Sequence, residues 1–206
     1  RKTKGARKRI ARSTQSLAGF SLLLGLRPDE SATPINHHTI LFPEDYDAEF
    51  DSIFTTRTPV KNPTIYLCAP LDESMVKESG AQSLFVLVNA PVHDATGATG
   101  WYWNDENFNR DYANSIIDRI QARGISIRDR LDVMEIRTPA DLERSVNAPG
   151  GAIYGTSSNG AQSAFFRARN RSPLKGLYCV GGSAHPGGGL PLVGLSAEIV
   201  ANAIGN

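Results

Sequence analysis

Gly176-Leu-Tyr-Cys-Val-Gly-Gly-Ser-Ala-His-Pro-Gly-Gly-Gly-Leu-Pro-Leu-Val-Gly-Leu-Ser-Ala197 reads as three pieces in succession. The apolar run 176–182 predicts a strand, 183–191 a turn, and 192–204 a helix that closes the chain. Gly187, Gly188 and Gly189 let the backbone approach a ligand with no Cβ in the way. The first amides of the helix, near Leu192 to Gly194, have no intrahelical acceptor and favour negative charge in front of them. A phosphate or a reduced flavin ring would each suit such a site. So would a plain tight connection in which the glycines serve only packing.

Upstream of this stretch, strands are predicted at 18–26, 37–42, 64–69, 83–90 and 131–137, each a short apolar run bounded by turn residues. A helix is predicted over 46–54, with Tyr46, Phe50, Ile53 and Phe54 on one face and the acids Glu44, Asp45 and Asp47 suiting its N-terminus. The clearest helix is 107–123, where Phe108, Tyr112, Ile116 and Ile120 form an i, i+4 stripe and Gly124 ends it. Thr138, Pro139 and Asp141 have the spacing of a capped helix start. Glycines crowd the chain from Gly150 onward. Strands and helices without strict βαβ alternation predict an α/β (α+β) fold, a mixed β-sheet with flanking helices, followed by the end of a separate α/β unit.

The 206 residues are 40% hydrophobic and 21% charged, with net charge +1, which suits a packed globular chain. Seven cations and no acid fall within residues 1–12; taking them from the 22 cations leaves 15 against 21 acids. A mildly acidic body argues against nucleic acid as a partner. The apolar run 17–26 is too short to span a bilayer. A basic run before an apolar one imitates a secretory leader, but Arg27 to Glu30 supplies no small-residue cleavage site, so the run is expected to belong to the fold. Cys68 and Cys179 lie in apolar runs, and buried, reduced thiols are expected rather than a disulfide.

The stretch from Gly181 to Pro191 resembles the C-terminal signature of the phytoene desaturase family, Gly-x-x-x-His-Pro-Gly-x-Gly-x-Pro. The matching residues are Gly181, His185, Pro186, Gly187, Gly189 and Pro191. Gly182-Ser183 departs from it, where the family often has Ala or Gly and then Thr. Family-like segments also occur at 20–26, 37–54, 63–70, 151–155 and 162–170, so the resemblance covers nearly the whole chain. It implies a Rossmann-like FAD-binding domain whose last strand, turn and helix lie in 147–206. Residues 1–146 would then be of the substrate-binding type, with 1–12 a basic lead-in. It further implies flavin contacts from Gly181, Gly182, His185, Pro186, Gly187, Gly188, Gly189, Leu190, Pro191, Leu192 and Val193.

The same resemblance implies FAD-dependent desaturation of a carotenoid precursor such as phytoene. It also implies a missing portion, because no glycines stand at i, i+2 and i+5 to cradle the FAD pyrophosphate. The fold is therefore expected to be incomplete, an N-terminal FAD-binding portion is the implied partner, and the chain alone is expected to be inactive. A cytoplasmic setting with peripheral contact to the membrane is expected. The rival readings are a saturase or amine-oxidase-like flavoenzyme, and a non-catalytic lipid-binding or assembly module.

No general base is assigned by these residues. His185 is weighed as a flavin contact against a turn histidine bonded to backbone. Neighbouring His37 and His38 should point to opposite strand faces, and with His93 they show no ligand spacing, so no metal site is expected. Gly155-Thr-Ser-Ser-Asn-Gly160 lacks the Gly-x-Ser-x-Gly spacing of a nucleophile elbow. Arg167 and Arg169 are read as surface ion-pair partners ahead of phosphate contacts. Trp101, Tyr102 and Trp103 are read as core or partner surface ahead of a membrane-interface cluster.

Overall fold

The structure, a computed structural model, describes residues 4–5, 8, 13–32, 34–70, 72–157 and 167–205. It divides into two compact units, 18–151 and the pair of segments 1–17 and 152–206.

The 18–151 unit is built on a five-stranded sheet of order β2-β3-β4-β1-β5. The strands are β1 (Ala18–Leu26), β2 (His38–Leu41), β3 (Ile65–Cys68), β4 (Gln82–Ala90) and β5 (Leu131–Arg137). All five expected strands of this unit form within a residue or two of their predicted bounds. Every ladder is antiparallel, where a mixed sheet was expected. The reason is topological: β4 and β5 run the same way, but β1 lies between them and pairs antiparallel with both, so the βαβ unit is split.

Helix α1 (Asp47–Phe50) passes directly into a wider π-helical stretch, Asp51–Thr56. Ser52 and Thr56 hydroxyls donate to the carbonyls of Ala48 and Ser52 there. Asp45 caps the start by accepting from the Ala48 amide at 3.1 Å. The expected apolar stripe is corrected: only Ile53 is buried, while Tyr46 is exposed and contacts Phe42 and Phe50 edge-on. The residue this helix buries is Glu49, whose carboxylate accepts from the Thr64 amide at 2.7 Å and the Asn89 side chain at 2.8 Å.

Helix α2 (Glu106–Ala122) is capped by Asp105, which accepts from the Phe108 amide. Tyr112, Ile116, Ile117 and Ile120 pack into one core with Phe20, Leu22, Leu24, Val86 and Leu67 of the sheet. Phe20 meets Trp103 and Tyr112 at ring-centroid distances of 5.4 and 5.0 Å. Trp103 is core, and its indole N–H donates to the Pro91 carbonyl. The loop that delivers it is tied by Asp94, which accepts from the amides and hydroxyls of Thr96 and Thr99; these bonds hold its carboxyl well below the usual carboxylate range.

Helix α3 (Pro139–Val146) starts in the capping box legible in the sequence: Thr138 Oγ1 accepts from the Asp141 amide, and Asp141 accepts from the Thr138 amide. Thr138→Ala is expected to cost this unit about 1 kcal/mol, within the 0.5–2 kcal/mol typical of a lost cap. Urea unfolding followed by circular dichroism checks it; an unchanged midpoint would show the box to be dispensable.

In the second unit, helix α4 (Leu190–Ile204) closes the chain. Residues 13–17 run beside 153–157 through four backbone bonds or bridges, among them Ser16 N–H to Gly155 O and Ile153 N–H to Leu17 O. The strand expected at 176–182 is corrected. Only an isolated Arg171–Tyr178 bridge forms, and Leu177, Cys179 and Val180 are exposed. A strand needs a ladder partner on at least one side, and the described residues of this unit offer none beyond that bridge. Cys179 is consequently an exposed thiol and Cys68 a half-buried one; both are free. No helix among the described residues is long and apolar enough to cross a membrane.

Candidate functional site

Two features carry chemistry, one in each unit. In the unit of 152–206, the glycine turn leads into α4, which starts two residues earlier than the sequence predicts because Leu190 and Pro191 supply its first turn. Gly189 stands at the N-cap with φ 96°, and no side chain caps the helix. Leu190, Pro191 and Leu192 are exposed, Leu190 at 88%. Gly181 and Gly187 also take positive φ, which only glycine adopts without strain.

The face of Gly188 is not open. A Cβ there would lie 2.0 Å from the ring of Tyr154. Arg167 Nη1 donates to the carbonyls of Gly182 and Tyr154, and the guanidinium sits against Gly187. Arg167 thus holds the turn, rather than the surface ion pair read from sequence. Arg169 is exposed, and of the segments flanking it, 158–166 lies outside the described residues, including the tail of the Gly155 to Gly160 loop.

A polar clamp fixes the turn to the helix. Asn170 is 5% exposed and Ser196 fully buried. Asn170 Nδ2 lies 3.1 Å from Cys179 O, 2.8 Å from His185 O and 2.9 Å from Ser196 Oγ, and Ser196 Oγ accepts from the Gly181 amide. The His185 amide donates to Ala168 O, and the peptide to Pro186 is cis. His185 is thus anchored by its backbone, with an exposed side chain. Sequence reasoning missed Asn170 and Ser196. For Ser196 the available signal was a small polar residue inside an otherwise apolar helix, which must find a partner when buried; Asn170, between Arg169 and Arg171, gave none.

The second feature is the sheet face opposite the core. Residues paired across ladders share a face, so Leu23, Phe85, Leu87, Tyr66, Ile40 and Val133 line one side. Leu23 is 39% exposed, Val133 51% and Ile40 53%; the other three are half-buried. The run 18–26 buries one face, that of Phe20, Leu22 and Leu24. On the β5 side this apolar strip ends at the Glu135–Arg137 ion pair. On the β2 side it ends at His38, which stands directly across from Cys68.

The expectation that His37 and His38 point apart is corrected. Their rings stack with centroids 4.2 Å apart, and nitrogen and sulfur atoms of His37, His38 and Cys68 lie within 4.8 Å of one another. Alternation of faces holds only inside the pleat, and His37 sits in the bend before β2. His93 has a separate, structural role: its Nδ1 accepts from the Trp103 amide.

No family model matches the chain. Curated proteins do. A 1-hydroxycarotenoid 3,4-desaturase from Flavobacterium sp. is 36% identical over 86% of this chain and 36% of its own length. A hydroxyneurosporene desaturase from Rubrivivax gelatinosus is 33% identical over 95% of this chain and 36% of its own. The chain is homologous to one region of the carotenoid desaturases.

A third relative, a carotenoid 3,4-desaturase from Haloarcula japonica, is 32% identical over 93% of this chain and 37% of its own length. The chain thus spans little more than a third of the length of the curated proteins it matches. The likeness runs across both features, since the matched stretches take in most of the chain, the sheet as well as the glycine turn.

Proposed function

We propose that this chain is the C-terminal part of a FAD-dependent desaturase acting on a hydrophobic polyene of the carotenoid class. The observation that carries the polyene is the sheet face opposite the core, where six large apolar side chains are left part-exposed on one side. Contiguous apolar surface of that kind marks a place where something apolar binds. A long hydrocarbon laid along it would gain roughly 25 cal/mol per Å² of apolar area removed from water.

The residues of the turn fit a flavin at the helix end. Gly189 to Val193 present an uncapped N-terminus with a glycine at its head, the arrangement that receives an oxygen-rich or electron-rich group. Gly188 fits less openly, because the Tyr154 ring already covers it. FAD, when bound, would supply the two-electron oxidation by accepting hydride from an allylic carbon. This chain's own part is to hold the amides of 190–193 in place through the Asn170–Ser196 clamp and to keep water off the polyene along the sheet. No residue is assigned as the proton acceptor. The FAD pyrophosphate would be held by an N-terminal portion with its own glycine fingerprint.

The test combines the chain with such an N-terminal portion and measures retained flavin and retained polyene. FAD and polyene are expected to be held together, with polyene desaturated, and FAD is expected not to bind tightly to residues 1–206 alone. Ile40→Asp is expected to weaken polyene retention while the unfolding midpoint stays near that of the parent, because Ile40 is 53% exposed on the edge strand β2. Lipid retained with no flavin, in the presence of the N-terminal portion, would make the chain a lipid-binding module instead. A saturated product would place it with the saturases. The basic lead-in of 1–12 lies mostly outside the described residues; attraction of that run to anionic lipid predicts liposome binding that weakens with salt.

A further inference from the structure

We propose that His37, His38 and Cys68 form a binding site for a thiophilic d10 cation, with Zn2+ as the probe ion. The site shares Tyr66 with the apolar sheet face but needs neither flavin nor polyene, so either conclusion can fail without the other.

The argument starts from placement. His38 and Cys68 are directly opposite each other across the β2–β3 ladder, so their side chains rise from the same face with Cβ atoms a contact distance apart. His37 reaches the same spot from the bend before β2, held there by the hydrogen bond from the Ala69 amide to the His37 carbonyl. Two imidazoles and a thiol therefore converge from backbone that is already ordered. Their donor atoms lie within 4.8 Å of one another. Zn–N and Zn–S bonds of about 2.0–2.3 Å put ligand atoms of a tetrahedron roughly 3.5 Å apart. Closing that gap takes about 1 Å of side-chain rotation, and both histidines are solvent-exposed.

The donor chemistry selects the ion. A thiolate with two imidazoles suits zinc or copper(I), and has no affinity to spare for calcium or magnesium, which need oxygen. Cys68 is reduced and unpaired, with no disulfide partner to compete. Binding would release the thiol proton as the S–Zn bond forms.

Tyr66 supplies the orientation that metal-bound histidines need. Its oxygen lies 2.9 Å from His38 Nδ1. With Nδ1–H donating to that oxygen, the Nε2 lone pair is left for the metal. Tyr66 stacks on His38, which stacks on His37, so the rings brace one another. Three protein donors leave one position of a tetrahedron for water or another oxygen ligand.

The test uses the full chain. Co2+, a spectroscopic stand-in for zinc, is titrated in, and a thiolate-to-cobalt charge-transfer band saturating at one equivalent and displaced by Zn2+ is expected. Tyr66→Phe is expected to weaken Zn2+ binding about ten- to hundredfold, the usual effect of losing a ligand's hydrogen-bond partner. Cys68→Ser and the His37→Ala/His38→Ala pair should weaken it further, and Cys179→Ser should leave it unchanged. A measurement on the unaltered chain guards against variants that fail to fold. Zn2+ should slow alkylation of Cys68 by iodoacetamide at least tenfold and leave the exposed Cys179 untouched. No charge-transfer band, a band that follows Cys179, or equal protection of both thiols would each overturn the site.

Discussion

Trp103→Ala is expected to destabilise the 18–151 unit by about 3–5 kcal/mol, the range for removing a large aromatic from a packed core. That is a large part of the 5–15 kcal/mol that holds a typical domain together. The indole is 1% exposed, is in ring contact with Phe20, Phe108 and Tyr112, and donates to the Pro91 carbonyl. Its loss leaves a cavity against α2 and strands that carbonyl. Tyr102 next to it is 49% exposed, and Tyr102→Ala should stay within about 0.5 kcal/mol. Urea midpoints of the two variants decide between core packing and a membrane-facing aromatic cluster. Comparable midpoints would mean that Trp103 is not the anchor its burial makes it.

The contrast between neighbours shows how far sequence reaches. Strand and helix positions in 18–151 were legible because each satisfies a local rule. The Thr138–Pro139–Asp141 start is a capping box wherever it occurs, and Gly124, at φ 83°, ends α2 as a left-handed C-terminal glycine does. What a local pattern cannot supply is the neighbour. The run 176–182 has the composition of a strand but finds no ladder beyond one bridge among the described residues. The leucines of β1 look alike in sequence; only the register separates Leu22 and Leu24 in the core from Leu23 on the open side. The split βαβ unit is invisible for the same reason, since nothing near β4 or β5 says that β1 will insert between them.

Polar burial was the least legible layer. Glu49 sits in a predicted apolar-faced helix as one more acid, yet it is the residue that α1 buries, because the Thr64 amide and Asn89 side chain arrive from elsewhere in the chain to meet it. The His37–His38–Cys68 cluster depends on a bend one residue before a strand, and a shift of one position would have separated the two imidazoles. The glycine turn was legible as a special backbone, with Gly181, Gly187 and Gly189 all at positive φ. The residues that hold it there were not.

Those residues set the second large effect. Asn170→Leu is expected to cost the 152–206 unit about 2–4 kcal/mol, since a branched side chain of the same length is kept and the amide that makes the bonds is removed. The amide has two protons for three oxygens, so its bonds are shared, and the three acceptors differ in what they lose. Cys179 and His185 are exposed, and their carbonyls can turn to water. Ser196 is fully buried and cannot. Most of the cost should therefore come through Ser196, whose Oγ keeps only the Gly181 amide as a partner, and the paired variant Asn170→Leu/Ser196→Ala should cost less than the two single substitutions summed, because both act on one network. Hydrogen exchange of the Gly181 and His185 amides reads this locally, where a whole-chain melting curve would mix two units. Both amides should exchange at least tenfold faster in Asn170→Leu, and, on the proposed function, flavin retained by the chain combined with an N-terminal portion should fall in step. If the two substitutions instead add, each acting as though the other were absent, Asn170 and Ser196 do not form one clamp. The amides at the head of α4 would then owe their position to the glycines alone.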